Sequence, residues 1–236
     1  MLELRNVQVS YGAVEAVRDV SITAAAGSMT AILRANGAGK SSLLRAISGV
    51  APLRGGTILM NSQDISKVPA EKRAKLGLAH AMEGRRLFRQ LTVEDNLKLA
   101  WSFGSRKTPL PAAIDDIYGR FPILAEKAKV QAGYLSGGQQ QMVILSCATI
   151  RDPDYLLLDE PSLGLAPIIV TQIYEFITGY ARRSGATVVI AEQMATLALK
   201  VSDRGYVLRR GKVVLEGESK TLLADGIADS LSATYL

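Results

Sequence analysis

The chain has 236 residues, a length that suits one domain with an insertion or two small lobes. Hydrophobic residues make up 48% and charged residues 21%, a globular composition that excludes whole-chain disorder and collagen-like architecture. The net charge of +6 permits anionic ligands or an anionic membrane surface without indicating a nucleic-acid binder, and the single cysteine, Cys147, excludes an internal disulfide.

Residues 1–90 predict strands on either side of a glycine-rich turn. Strands are expected over residues 2–9, 21–24, 29–33, 57–60 and 76–81, and a helix over 41–50. Residues 1–12 alternate as a strand does and lack the charged-then-apolar pattern of a signal peptide. No apolar run approaches the roughly 18 residues that span a bilayer, so we expect other chains to do any spanning.

Residues 91–150 differ in character, because β-branched runs become sparse and helical spacing dominates. Helices are expected over residues 93–101, 112–129 and 138–150. We interpret this part as a helical lobe inserted into a sheet domain that residues 1–90 and 151–236 form together.

Strand patterns return after the helical lobe. Continuous apolar runs at 155–158 and 187–191 predict buried parallel strands, and a helix over 167–182 between them makes a βαβ unit. A hairpin at 204–209 and 212–216 and a helical tail over 219–236 follow. The expected fold class is α/β, with a mainly parallel sheet core and an antiparallel N-terminal part.

Residues 34–41 read RANGAGKS and lie between a predicted strand and a predicted helix, which is the setting of a phosphate loop. There, backbone N–H groups and the helix dipole bind phosphate, and glycines allow close approach. We expect Lys40 to reach the β- and γ-phosphates and the Ser41 hydroxyl to bind Mg²⁺. The candidate ATP-binding set is Arg34, Ala35, Asn36, Gly37, Ala38, Gly39, Lys40, Ser41 and Ser42.

The first position of the phosphate-loop pattern is Arg34, where glycine is the rule. Three interpretations stay open: the side chain points away harmlessly, adds positive charge beside the phosphates, or strains a turn that prefers no side chain.

A second candidate site follows the apolar run YLLLDE at residues 155–160. A buried strand that ends in Asp159 and Glu160 places carboxylates at the carboxyl edge of the sheet, where ligands bind in open α/β sheets. We expect Asp159 to hold Mg²⁺ and Glu160 to act as the general base on the attacking water.

The segment LSGGQ, formed by Leu135, Ser136, Gly137, Gly138 and Gln139, lies between these two sites. Taken alone it would be a helix N-cap with Ser136 as the capping residue. A phosphate loop, LSGGQ and an apolar run ending in Asp-Glu, in that order, resemble the ATP-binding cassette ATPases. The resemblance implies that LSGGQ contacts the ATP of a partner cassette, so that two cassettes enclose two nucleotides.

The same resemblance implies roles for three further residues. Tyr11 matches the aromatic residue that stacks on adenine, although it could be an ordinary strand-end tyrosine. Glu83, in EGRRLF, falls where most cassettes have a glutamine at the metal, and joins Ser41 and Asp159 as a candidate metal ligand. Gln193, in AEQM, falls where most cassettes have a switch histidine, and with Glu160 and Lys40 completes the candidate catalytic set.

Several segments are similar to the ATP-binding subunits of branched-chain amino acid importers: EGRR, SLGLAP, the Glu-Gln pair and DRGYVL. The resemblance implies a peripheral location on the cytoplasmic face of the inner membrane. It implies a second ATPase subunit, usually a different chain, two integral-membrane permease subunits and indirectly an extracytoplasmic solute-binding protein. The urea importer ATPases are a close alternative. No basic–aromatic stripe suggests nucleic acid.

Arg34, Met82 and Cys147 depart from the family pattern, which keeps open a regulatory cassette that no longer hydrolyses ATP. A soluble cassette acting in DNA repair or translation is a further alternative, opposed by the absence of long coiled-coil insertions. We expect His80 to be a strand residue and Cys147 a buried small hydrophobe.

Overall fold

The computed structural model describes residues 1–33, 37–84, 86–104 and 107–227. Its first sheet is antiparallel, with strand order β2-β1-β4-β5. These strands are β1 (Leu2–Tyr11), β2 (Val14–Ala24), β4 (Gly55–Met60) and β5 (Gln63–Asp64). The antiparallel N-terminal part predicted from the sequence is thereby confirmed.

The second sheet has the strand order β10-β9-β3-β8-β7-β6 within the described residues. Its strands are β3 (Met29–Leu33), β6 (Leu78–Ala81), β7 (Tyr155–Asp159), β8 (Thr187–Glu192), β9 (Arg204–Arg209) and β10 (Lys212–Glu218). All neighbouring strands run parallel except β9 and β10, which form a hairpin. The mainly parallel core is therefore also confirmed.

Helices flank the second sheet on both faces. They are α1 (Lys40–Ile47), α2 (Ala70–Lys75), α3 (Val93–Ser102), α4 (Leu110–Arg120), α5 (Pro122–Glu126), α6 (Gly137–Thr149), α7 (Pro167–Ser184), α8 (Ala195–Val201) and α9 (Ser219–Ala224). Helices α3 to α6 follow one another between β6 and β7, as a helical insertion would. The exact division into a core and a lobe stays a prediction.

Strands β7 and β8 are buried on both faces, which is why their sequences are almost continuously apolar. Leu156 and Leu158 join the hydrophobic cluster that includes α3 to α7, whereas Leu157 joins the cluster of α1 and the antiparallel sheet. Alternate residues of one strand thus hold the helical segment and the N-terminal sheet on opposite sides.

The pattern over 112–129 predicted one helix, and the structure corrects this to two. Helix α4 ends at Arg120, Phe121 adopts φ −124° and ψ 76°, and α5 begins at Pro122. Proline lacks a backbone N–H and disfavours helical geometry at the preceding residue, so the break occurs at this point.

Three further differences concern short or polar elements. Helices α2 and α8 were absent from the predicted set, since neither is long enough to show an apolar period. The predicted helical tail is helical over Ser219–Ala224, and its end at 228–236 lies outside the described residues.

Among the helices described, none combines the length and apolar character that crossing a membrane requires.

Arg73 links α1 to the segment before α2. Its side chain is 2% exposed, and the guanidinium donates hydrogen bonds to the carbonyl oxygens of Ala46, Ile47, Val68 and Ser66. Ala46 and Ile47 end the helix that begins at the glycine loop, where carbonyls have no partner within the helix, and the Ala46 carbonyl also accepts from the Gly49 N–H at 3.1 Å. One buried side chain therefore completes the C-terminus of α1.

We expect Arg73→Met to lower the free energy of unfolding by about 2–4 kcal/mol, because it leaves buried carbonyl groups without donors. Urea unfolding followed by circular dichroism measures the change. The control is Lys72→Met, an exposed neighbour on the same helix, which should stay within about 0.5 kcal/mol of the parent. Equal stability of the two variants would contradict the structural role of Arg73.

Candidate nucleotide site

The glycine loop leads from the end of β3 into the first turn of α1. Gly37 and Gly39 have φ values of 81° and 101°, a region that favours glycine. A Cβ atom on Gly39 would lie 2.3 Å from the carbonyl oxygen of Ala16, so a side chain cannot fit there. Arg34, Ala35 and Asn36 lie outside the described residues, and their predicted roles stay predictions.

Lys40, the first residue of α1, forms a buried ion pair with Glu160. The distance between Lys40 Nζ and Glu160 Oε1 is 2.8 Å, and the two side chains are 4% and 3% exposed. The pair joins the phosphate-loop helix to the turn after β7. A lysine and a carboxylate from distant parts of the sequence thus meet in the fold.

Ser41 and Asp159 meet beside this pair. The Ser41 hydroxyl donates a hydrogen bond of 2.9 Å to Asp159 Oδ1, while Asp159 Oδ2 is buried and accepts no hydrogen bond from the described residues. Burial raises the pKa of Asp159, the Ser41 hydrogen bond lowers it, and the nearby charge of Glu83 raises it further. The buried oxygen of Asp159 is therefore an acceptor that a cation could satisfy.

These oxygen groups have the chemistry that Mg²⁺ prefers. Mg²⁺ is typically bound by one or two carboxylates together with substrate phosphates and water. Within the described residues, no group of three His, Cys, Asp or Glu side chains could hold a metal by itself. The donor set of Ser41, Asp159 and nearby Glu83 fits an ion that a nucleotide brings with it.

Glu160 follows β7 in an unusual backbone conformation. Its φ is 49°, in the left-handed region that few residues other than glycine adopt, and its N–H donates to the carbonyl of Ala191 at 2.9 Å. Burial raises the pKa of Glu160 to about 7 against the opposing effect of Lys40, and the neighbouring Glu192 contributes to the rise. A carboxyl group with this pKa can exchange a proton near neutral pH.

Gln193 is half-buried directly after β8, and its backbone N–H donates to Glu192 Oε2 at 2.7 Å. Because Asp159 pairs with Ala191 in the sheet, the segment that carries Gln193 lies beside the one that carries Glu160. The structure therefore brings the elements carrying Lys40, Ser41, Glu160 and Gln193 to one edge of the sheet.

The LSGGQ segment begins helix α6 on a different part of the chain. Ser136 is its N-cap: the Ser136 hydroxyl accepts from the Gln139 N–H at 3.4 Å, and Gln139 Oε1 accepts from the Ser136 N–H at 3.1 Å. Ser136 is exposed, and Gly137, Gly138 and Gln139 are half-buried. The helix N-terminus thus faces outward as a preformed capping box.

Tyr11 is the last residue of one strand, and Glu83 lies in the turn that follows another. Tyr11 ends β1 with 45% of its surface exposed, so its ring is accessible. Glu83 is half-buried in the turn after β6. Stacking on adenine by Tyr11 and metal binding by Glu83 stay predictions.

Sequence reasoning missed the role of Glu192, the last residue of β8. Its carboxyl group is 1% exposed and contacts both Ser162 and Tyr174. The available signal was an acidic residue at the end of an apolar run, the same signal that identified Asp159.

Comparison with known proteins decides the family. Residues 17–163 match the family model described as ABC transporter, which covers more than half of the chain. The chain belongs to the ABC transporter family. It is an ATP-binding cassette with ATPase activity, and the corresponding predictions of fold class and enzyme class are confirmed.

Two relatives resemble the cassette over nearly its whole length. The high-affinity branched-chain amino acid transport ATP-binding protein BraG of Pseudomonas aeruginosa is 40% identical over 95% of this chain and 96% of its own. The probable branched-chain amino acid transport ATP-binding protein LivF of Archaeoglobus fulgidus is 34% identical over 94% of each chain. The lipopolysaccharide export system ATP-binding protein LptB of Escherichia coli is 30% identical, so relatives include an exporter component.

Solved structures agree with the fold. The ADP conformation of MJ1267, an ATP-binding cassette of an ABC transporter, is 25% identical with a TM-score of 0.81 and covers 98% of both chains. The post-hydrolysis dimer of the cassette MJ0796 bound to ADP and Pi is 22% identical with a TM-score of 0.84, over 93% of this chain and 99% of that one. The second match supports the fold alone.

The pKa of Glu160 predicts an acid limb in the kcat/KM profile of the cassette for ATP. Protonation removes the base, so the rate should fall as the pH drops through about 7. Initial rates between about pH 5.5 and about pH 8.5, roughly one and a half units on either side of neutrality, measure the limb.

Two variants serve as controls for this assignment. Gln193→Ala should retain the limb because an amide does not titrate, and His80→Gln should retain it because burial lowers the pKa of His80 to about 4. Loss of the acid limb in either variant would show that the limb comes from the substituted residue and not from Glu160.

Proposed function

We propose that this chain is the ATP-hydrolysing motor subunit of an importer for branched-chain amino acids. The observation that carries the proposal is the convergence of Lys40, Ser41, Asp159 and Glu160 at one sheet edge, in a chain 40% identical to BraG along its length. The convergence supports hydrolysis, and the similarity to BraG and LivF supports the substrate class.

Each residue of the candidate site has a separate role in ATP binding or hydrolysis. The N–H groups of the glycine loop and Lys40 hold the β- and γ-phosphates, and Glu160 accepts a proton from the attacking water. Gln193 donates a hydrogen bond from its side-chain amide to the γ-phosphate. Tyr11 supports the adenine ring from the end of β1.

Mg²⁺ is held by Ser41, Asp159 and Glu83 together with the nucleotide. When bound, the ion neutralises negative charge on the phosphates. The buried Oδ2 of Asp159, without a hydrogen bond from the described residues, supports this assignment.

Two cassettes enclose the nucleotides between them. The outward-facing N-terminus of α6 supplies backbone N–H groups and the Ser136 hydroxyl to the γ-phosphate bound by the other cassette. A helix of 13 residues with no acidic residue in its first turn has the dipole that favours an anion there. The second cassette is a related but different chain.

A groove of about 760 Å³ between the loop after β6 and helices α3 and α6 is the proposed docking place of a permease helix. Its lining is largely apolar and includes Met82, Leu87, Phe88, Leu99 and Phe103. Phe88 and Phe103 are 64% and 68% exposed. Glu83 and Met82 are adjacent, so the groove adjoins the metal-side turn and can pass nucleotide-dependent motion to the membrane.

The cassette then works on the cytoplasmic face of the inner membrane with two permease subunits and, through them, an extracytoplasmic solute-binding protein. An importer of urea or another amide uses the same ATPase design, so transport assays with leucine and with urea distinguish the two substrate classes. Uptake of urea alone would overturn the amino-acid assignment.

We expect Glu160→Gln to lower ATP turnover by about 10²–10⁴-fold while ATP still binds, because the amide cannot accept the proton. Phosphate release measures turnover, and fluorescence titration with a nucleotide analogue measures binding. Glu175→Gln, an exposed carboxylate on α7, is the matched control and should keep normal turnover. Normal hydrolysis by Glu160→Gln would remove Glu160 as the base, and no hydrolysis by the parent chain would favour a regulatory cassette.

We expect the tagged chain to co-purify with integral-membrane proteins, and Phe103→Asp to reduce their recovery about tenfold or more, since a charge replaces an apolar anchor in the groove. Val214→Asp, 55% exposed on β10, is the control and should leave recovery unchanged. Mass spectrometry of the recovered proteins identifies the second cassette. Equal recovery with both variants would place the permease elsewhere.

A further inference from the structure

The carboxyl group of Glu192 is the buried acid that the proposed reaction does not use. It ends β8, whose preceding residues are Thr187, Val188, Val189, Ile190 and Ala191, and it is 1% exposed. An apolar residue would suit this position by burial alone. A carboxyl group at this position must be compensated by hydrogen bonds, because removing it from water is costly unless donors surround it.

The donors around Glu192 come from two separate loops and one helix. Oε1 accepts from the Ser162 N–H at 3.3 Å, from the Ser162 hydroxyl, and from the Tyr174 hydroxyl at 3.2 Å. Oε2 accepts from the N–H groups of Gln193 at 2.7 Å and Met194 at 3.3 Å. Oε1 therefore binds the turn after Glu160 and the Tyr174 hydroxyl of helix α7, whereas Oε2 binds the segment that carries Gln193.

Within the described part of the chain, the donors to this carboxyl group are N–H and O–H groups, so hydrogen bonds rather than an ion pair satisfy it there. Burial and the neighbouring carboxyl group raise the pKa of Tyr174 well above its usual value, which keeps that hydroxyl a donor. A buried acid with one acceptor oxygen for each loop is costly to replace, since any substitute leaves at least one loop with unpaired donors.

The turn after Glu160 is short and tightly joined to this carboxyl group. Ser162 is two residues beyond Glu160, and the Leu163 N–H donates back to the Glu160 carbonyl at 3.2 Å. The Ser162 hydroxyl also lies 3.6 Å from the Met194 sulfur, across the gap between the two loops. A shift of either loop would therefore be transmitted to the other.

We propose that Glu192 is a positioning residue that fixes the Glu160 turn and the Gln193 segment as one hydrogen-bonded unit, so that base and γ-phosphate sensor keep their relative placement during hydrolysis. The proposal rests on the function proposed above. It requires no contact between Glu192 and the nucleotide.

Glu192→Gln tests the proposal at constant size. Its amide oxygen can accept from the N–H groups of Gln193 and Met194, while its NH₂ group can donate to the hydroxyls of Ser162 and Tyr174 but leaves the Ser162 N–H without an acceptor, so only the contact to the Glu160 turn is weakened. Glu192→Ala releases both sides. Tyr174→Phe is the matched control, because it removes a donor that belongs to helix α7 and to neither loop.

We expect kcat to fall about 10–100-fold in Glu192→Ala and by a smaller factor in Glu192→Gln, with KM for Mg·ATP changed less than about threefold, because alignment in the transition state is lost. Tyr174→Phe should keep kcat within about twofold even where its unfolding midpoint falls. Parent-like kcat in a folded Glu192→Ala, or an equal loss of kcat in Tyr174→Phe, would overturn the proposal.

Backbone amide exchange gives a second readout that does not depend on turnover. In Glu192→Ala, the amides of Ser162, Gln193 and Met194 should all exchange about tenfold faster or more than in the parent. Acceleration in one loop alone would overturn the idea of a single unit.

Assays of the parent chain and Glu160→Gln beside these variants separate the two proposals. If the parent hydrolyses ATP and Glu160→Gln does not, the proposed function stands whatever Glu192 shows. If the parent fails to hydrolyse ATP, amide exchange at Ser162, Gln193 and Met194 in Glu192→Ala still tests whether Glu192 joins the two loops.

Discussion

The parallel register of β3, β8 and β7 is the constraint on which the site depends. Leu33 pairs with Glu192, and Asp159 pairs with Ala191, so three strands from distant parts of the sequence end at one edge. Each strand end is followed by a segment of the candidate site: the glycine loop, the acidic turn and the Gln193 segment. Since both faces of these strands are buried, a one-residue shift would move apolar side chains between two hydrophobic clusters at once. Packing of the core therefore also sets the geometry of the catalytic edge.

Electrostatics at that edge is a balance between burial and pairing. The Lys40–Glu160 pair places opposite charges together where water is scarce, where removing one partner is costly although the pair itself need not stabilise the fold. Asp159 and Glu160 both have raised pKa values, chiefly through burial, although their partners differ: a serine hydroxyl beside Asp159 and a lysine beside Glu160. These two consecutive carboxyl groups thereby differ in chemistry: Asp159 is suited to binding a cation, and Glu160 is suited to accepting a proton.

Local motifs could be predicted from the sequence, whereas tertiary partners could not. Each of the motifs RANGAGKS and YLLLDE is an unbroken run of sequence whose function depends on neighbouring residues. Lys40, Ser41, Asp159 and Glu160 could therefore be found from the sequence pattern. Arg73 lies in a segment without a diagnostic pattern and Glu192 ends an apolar run, but the importance of both comes from carbonyls and N–H groups that only the fold brings to them. The break between α4 and α5 was predictable from Pro122, but the helical period over 112–129 outweighed it. Assignments of nucleotide and metal contacts remain predictions for every residue of the site.

The capping box at Ser136 has a consequence for the proposed pairing of two cassettes. The first turn of α6 is already folded within one chain, because the Ser136 hydroxyl accepts from the Gln139 N–H and the Gln139 side chain accepts from the Ser136 N–H. A partner then encounters a formed surface and has no helix to order on contact, which favours rigid-body docking. Encounter rates should accordingly be set by diffusion and orientation rather than by a folding step, leaving the lifetime of the closed pair to be governed by the nucleotide between its halves.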